Sequence, residues 1–228
     1  MVRRVVVFLI VVAALLVAAD RLAAWAAGQT VADRLARAYR LDQQPDVQAR
    51  GIPFLTQWSS GRYEEVDVRI PTVTNGGVSV TDLSAQLHGV SATPYATSSA
   101  DLAGATIAEV DAQGVVPFSE VPLPPGFQLT ARGNQLQVSG SVSVAGVSVP
   151  VSAVVGVSVR DGALHLETDQ VTVPSAFARL GVTALVNQRL SASAKALQLP
   201  LEARLDAVSV TPSGLRISAS ASQVKMPS

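Results

Sequence analysis

Between Val147 and Val159 the chain carries its longest alternation. Val147, Val149, Val151, Ala153, Val155, Val157 and Val159 take the odd positions, and Ser148, Ser152, Gly156 and Ser158 fall between them. Successive side chains on a strand point to opposite faces, so this pattern dictates an extended segment with one aliphatic face and one hydroxyl-bearing face. A helix would spread both residue types around its axis. Upstream, Val142 and Val144 sit on even positions, and the change of parity places a two-residue turn or a bulge at Ala145-Gly146. Arg160-Asp161-Gly162 is a second turn, after which Leu164, Leu166, Val171 and Val173 resume the pattern. Strands joined by turns this short pair antiparallel.

The same period recurs on both sides. Val66, Val68 and Ile70 alternate with Asp67 and Arg69, and Asn75-Gly76-Gly77 supplies turn chemistry before Val78, Val80, Leu83, Ala85 and Leu87. Near the end, Val208 and Val210 lead into Thr211-Pro212-Ser213-Gly214, and Leu215, Ile217, Ala219 and Ala221 lead out. Two segments have the helical period instead. From Leu22 to about Leu41, Trp25, Ala26, Ala32, Leu35, Ala36 and Tyr39 form a stripe interrupted by Gln29, with Asp33, Arg34, Arg37 and Arg40 opposite. Such a helix packs its stripe on a sheet or lies on lipid with its arginines toward headgroups. After Pro174, Ser175 is an N-cap for a second helix carrying Phe177, Leu180, Ala184, Leu185 and Leu190. Helix followed by strand pair thus occurs twice, which fits an internal duplication and ordinary hairpin composition equally well. Pro117, Pro122, Pro124 and Pro125 mark a central loop. The expected fold class is α+β on a long antiparallel sheet.

The N-terminus is built for export. Arg3 and Arg4 precede an uninterrupted apolar run from Val5 to Ala19, with small residues at Val17-Ala18-Ala19 where a signal peptidase could cut. Asp20-Arg21 stops the run short of the roughly 20 apolar residues that a span requires. Leu22 to Ala27 is apolar again, which leaves a retained anchor as the alternative to a cleaved signal. Residues 1–27 are therefore the signal or anchor, and 28–228 a single domain.

Little in the chain points to catalysis. With no cysteine there is no disulfide, thiolate nucleophile or zinc–thiolate centre. The 17 basic and 17 acidic residues balance, whereas a nucleic-acid binder needs a basic excess to displace counterions. His88 and His165, the only two histidines, lie on the polar sides of their strands and read as surface residues. No Gly-x-Ser-x-Gly elbow occurs. Glu64, Glu65 and Asp67 form a tight acidic cluster, read here as solvated. No catalytic residue, metal ligand or cofactor is expected.

Apolar side chains of another kind concentrate at residues 51–58. Gly51-Ile52-Pro53-Phe54-Leu55-Thr56-Gln57-Trp58 gathers Ile, Phe, Leu and Trp in a chain whose aromatic content is only 4%. The order Pro45-Asp46-Val47, this Gly-Ile-Pro-Phe-Leu-Thr-Gln segment and Gly61-Arg62-Tyr63-Glu64-Glu65-Val66, with the export signal, the amphipathic helix and the late Asp161-Gly162-x-Leu164 turn, resembles the LmeA-like phospholipid-binding proteins of actinobacterial cell envelopes. The resemblance runs from about residue 20 onward.

That resemblance implies an exported, non-catalytic protein of the periplasmic space or the outer face of the plasma membrane. It would bind phospholipid and support envelope lipid or lipoglycan homeostasis. The implied fold is a strongly curved antiparallel sheet wrapped around one or two long helices, similar to tubular (BPI-like) lipid-binding domains. The implied partners are phospholipid, a membrane surface and envelope glycan-biosynthesis proteins. Ile52, Phe54, Leu55, Trp58 and Tyr63 are the expected lipid-binding residues, at a groove mouth or dipping into the membrane. The alternative role for them is a structural turn that anchors the first helix to the sheet. Arg62, Arg69, Arg132, Arg179 and Arg216 are phosphate-partner candidates that nothing in the sequence ranks. A closed-core envelope scaffold is the alternative function.

Overall fold

The computed structural model describes residues 2–75, 78–96, 104–121, 123, 126–144, 147–172 and 203–226. In chain order the elements are helix α1 (Val2–Tyr39), strand β1 (Asp46–Ala49), helix α2 (Phe54–Ser60), β2 (Arg62–Asn75), β3 (Val78–Ser91), β4 (Thr106–Pro117), a single 3-10 turn (Phe118–Glu120), β5 (Phe127–Arg132), β6 (Gln135–Val144), β7 (Val147–Arg160), β8 (Ala163–Thr172), β9 (Arg204–Thr211) and β10 (Gly214–Lys225). Among the described residues the protein is mixed α+β, with a large antiparallel sheet and one long helix. The strands form two sheets, ordered β1-β2-β3-β4-β10-β9 and β5-β6-β7-β8. The helix expected after Ser175 lies outside the described residues, as do Pro122, Pro124 and Pro125 of the central loop.

Turn chemistry sets the registers. Val144 pairs with Val147 and Arg160 with Ala163, so β6, β7 and β8 form the antiparallel meander that their parity dictates. Asp161 and Gly162 both have positive φ, the geometry that matches a two-residue hairpin to strand twist. The β9–β10 hairpin closes where Thr211 pairs with Gly214, and the Thr211 hydroxyl both accepts from Gly214 N–H at 3.2 Å and donates to its carbonyl at 2.8 Å.

The chain folds as two compact units. The first comprises residues 1–72, 84–112 and 221–228, and the second 73–83 and 113–220. The second is organised by the valine face of β7. Val149, Val151, Ala153 and Val155 are buried, and Val151, Ala153 and Val155 join Val116, Leu136, Val138 and Leu215 in one aliphatic cluster. From Val149 to Val155 the odd-numbered face is therefore the core face. A register shift between Val154 and Val155 in the β7–β8 ladder marks a bulge, and there two consecutive valines are both buried.

In the first unit, α1 differs from its expected form twice. It passes through Asp20-Arg21 without a break, because Asp20 is buried and fully partnered within the protein and needs no water there. Its buried face is Asp20, Ala24, Gly28 and Ala32, every fourth residue, whereas Trp25 and Ala26 of the expected stripe are exposed. The reason is the closeness of β1. A Cβ on Gly28 would stand 2.2 Å from the Val47 carbonyl oxygen, so only the smallest side chains fit beneath the strand. Gly28→Val is expected to force helix and strand apart and cost about 1–3 kcal/mol. Chemical denaturation of the variant against Thr30→Val, at an exposed site two residues on, measures this.

Candidate functional site

α2 has only seven residues, and an isolated helix of that length does not hold together in water. Its own N-cap residue is Pro53, whose side chain offers no acceptor. The acceptor comes instead from α1. Phe54 N–H donates to Asp20 Oδ2 and Leu55 N–H to Asp20 Oδ1, both at 2.9 Å, so one carboxylate caps α2 from a remote helix. Arg21 Nη2 donates to Asp20 Oδ2 at 2.6 Å and to the Gly51 carbonyl at 2.7 Å, tying the preceding loop to the same point. Burial pushes the Asp20 carboxyl up. The hydrogen bonds from Leu55 and Phe54, with the adjacent Arg21 guanidinium, outweigh that and hold it below its ordinary value.

The rest of the segment is tied down residue by residue. The Phe54 side chain is buried, with its ring 6.3 Å from that of Tyr63. Burial raises the Tyr63 phenol above its usual range, so it stays neutral. Thr56 Oγ1 donates to the Pro53 carbonyl at 3.2 Å. Gln57 links the residue after β1 to β2, donating to the Arg50 carbonyl at 2.9 Å and accepting from Glu64 N–H at 3.1 Å. The Trp58 indole N–H donates to the Ala96 carbonyl at 3.2 Å, and its ring meets Tyr95 edge-on at 5.3 Å. α2 ends at Gly61, whose φ of 68° and close approach to the Ala92 carbonyl, 2.3 Å from where a Cβ would be, admit only glycine.

Phe54, Trp58 and Tyr63 of the expected lipid-binding set are thus occupied by protein contacts, while Ile52 and Leu55 point outward, 65% and 45% exposed. On α1, Leu22 and Trp25 are each 66% exposed. Sequence reasoning missed Asp20 and Arg21 as site residues, reading them only as the stop of an apolar run. It also read Asp67 as solvated, and this is corrected. Asp67 is buried in β2 and paired with Arg50, whose Nε and Nη2 lie 2.6 and 2.5 Å from Oδ2. Arg50, just past the end of β1, covers it, a partner 17 residues away that no local pattern reveals. His88 is half-exposed and stands 3.8 Å from Asp111, as a surface residue does. Arg62, Arg69, Arg132 and Arg216 are exposed, and Arg179 lies outside the described residues.

Asp20→Ala is expected to destabilise the first unit by about 1–2 kcal/mol through loss of the cap, and Asp20→Asn, which keeps one acceptor, by less. Because the folded-state pKa is lowered, the carboxylate's contribution is complete above the ordinary carboxylate pKa and disappears as pH falls through the lowered value. Acid denaturation curves should therefore be shallower in that range for Asp20→Asn than for the parent.

A model of the LmeA-like phospholipid-binding family matches residues 18–220. No curated protein and no solved structure matches the chain. The matched span starts just before Asp20 and contains the whole Asp20–α2 arrangement, leaving most of the apolar run outside it. Nearly the entire chain is accounted for, and the chain belongs to the LmeA-like phospholipid-binding family.

Proposed function

We propose that the protein is an exported cell-envelope protein that binds phospholipid through aliphatic surface of its first unit, without catalysis, in support of envelope lipid or lipoglycan homeostasis. The observation that carries this reading is the family match over residues 18–220. The exposed Ile52 and Leu55 support it, as do the half-buried aliphatic positions Val66, Val68 and Ile70 of β2 and Ala85, Leu87 and Val90 of β3. Val, Leu and Ile offer an acyl chain contact without a competing hydrogen bond. Magnitude assigns the parts. At about 0.8 kcal/mol per methylene, a sixteen-carbon tail stands on the order of ten kcal/mol away from water. Two exposed aliphatic side chains, at about 1.5–3 kcal/mol each, supply only a fraction of that. Lipid capture therefore needs the strands, and Ile52 and Leu55 serve as the entry. The tubular shape implied by the sequence resemblance belongs to this proposal.

A closed-core scaffold is the second reading, favoured by one observation. The valine face of β7, the longest alternation in the sequence, is filled from Val149 to Val155 by the protein's own side chains.

Native mass spectrometry of the full chain, purified from a phospholipid-rich host and exchanged into lipid-free detergent, decides between the two. The carrier reading expects one retained phospholipid mass that is lost on denaturation, and weaker retention in Leu55→Asp. A bare chain in every preparation, with folding intact, favours the scaffold.

A further inference from the structure

α1 is long and apolar enough to cross a membrane, and from Val2 to Ala19 it is exposed apart from the half-buried Val12. The apolar run Val5–Ala19 measures about 22 Å at 1.5 Å per residue. A bilayer's hydrocarbon core is about 30 Å, so the run alone falls short by roughly a quarter. The helix does not end there but continues directly into the Asp20 latch. Asp20 and Arg21 bring residues 51–55, the loop before α2 and its first turn, level with the end of the run through the Phe54, Leu55 and Gly51 contacts. Ile52 and Leu55 are exposed on that segment, which Asp20 holds at its own level, and Leu22 and Trp25 are exposed on α1 about 4.5 and 9 Å beyond Ala19 along the helix axis. That depth matches the interfacial layer of one leaflet, where tryptophan concentrates. The Asp20 charge at this level is only 4% exposed and partnered by Arg21 and two amide N–H groups, so it does not oppose immersion.

We propose that α1 is retained as a membrane anchor, and that Leu22, Trp25, Ile52 and Leu55 form a seat that rests in the interface of the same bilayer and makes up the shortfall of the apolar run. The occupant is the bilayer surface itself, not a lipid withdrawn from it. The helix is continuous across the Ala19–Asp20 bond, and the amides of Asp20 and Arg21 belong to a turn whose acceptors lie on residues 16 and 17. Cleavage after Ala19 would remove those acceptors and leave the latch at a frayed end. Seating also places α2 and the start of β2 at the membrane surface, where a phospholipid would enter if the protein is a carrier. The seat itself does not depend on the carrier reading, since a scaffold could be seated in the same way.

The chain contains no cysteine, so a single introduced one is a unique label site. Full-length Trp25→Cys, Ile52→Cys and Leu55→Cys, all at exposed positions, and Arg37→Cys as a control farther along α1, are spin-labelled and reconstituted in nanodiscs of phosphatidylcholine with one quarter phosphatidylglycerol. Intact mass is taken of the same chain recovered from host membranes. The expected result is a mass that includes residues 2–19, with oxygen accessibility exceeding that to a water-soluble nickel chelate several-fold at 25, 52 and 55 and not at 37. A mass beginning at Asp20, or labels at 52 and 55 that read like the one at 37, overturns the proposal. Either outcome leaves the native mass spectrometry of bound lipid to stand or fall by itself.

Discussion

One carboxylate holds α2 against α1. Asp20 accepts the first two amides of α2 and the guanidinium of Arg21, and Arg21 in turn takes the Gly51 carbonyl. A helix of seven residues has too few internal hydrogen bonds to offset its nucleation cost, so α2 exists because other elements supply what it lacks. Asp20 satisfies its first turn, Gly61 its last, and Trp58 and Gln57 fix its sides. The direction of the Asp20 pKa agrees with this role: burial disfavours the charge, and the donors around it more than compensate.

The two units use aliphatic residues differently. In the second, valines from β7 meet Leu136, Val138, Val116 and Leu215, and the apolar face is consumed by packing. In the first, α1 contributes a face of Asp, Ala, Gly and Ala that lets backbone approach backbone, and large apolar residues are left on the outside. Leu22 and Trp25 are therefore exposed because the small-residue face has taken the buried side of the helix. An apolar surface produced in this way is available to lipid without any loss to the core.

The strands were legible because their information is local. Period two, parity changes and Asp-Gly or Thr-Pro-Ser-Gly turns act over a few residues, and the β6–β8 meander and the β9–β10 hairpin obey them. The motif at 51–58 was also legible as a special segment, but not as a structure. Phe54, Trp58 and Tyr63 stand out when counted as aromatics, but their contacts within the protein, with Tyr95, Ala96, Asp20 and one another, are not legible in the sequence. Asp20 and Asp67 were misread for the same reason. Each is a charge made tolerable by a partner distant in sequence, the α2 amides 34 and 35 residues on and Arg50 17 residues back. The start of the helical stripe, Trp25 and Ala26, was misassigned because hydrophobicity was weighed and size was not, whereas Ala32 is buried as expected. Where a strand passes 2.2 Å from a glycine's absent Cβ, smallness decides which face is buried.

Amide hydrogen exchange at Phe54 and Leu55, measured by NMR in the full-length protein, addresses the Asp20 latch most directly. First-turn amides of a helix ordinarily lack partners and exchange almost freely. The latch predicts that these two are protected at neutral pH to the level of α2's later amides, and that Asp20→Ala removes their protection while leaving the β6–β7 ladder unchanged. Rapid exchange at both positions in the parent protein would contradict the latch, because α2 would then stand without the cap on which its position depends.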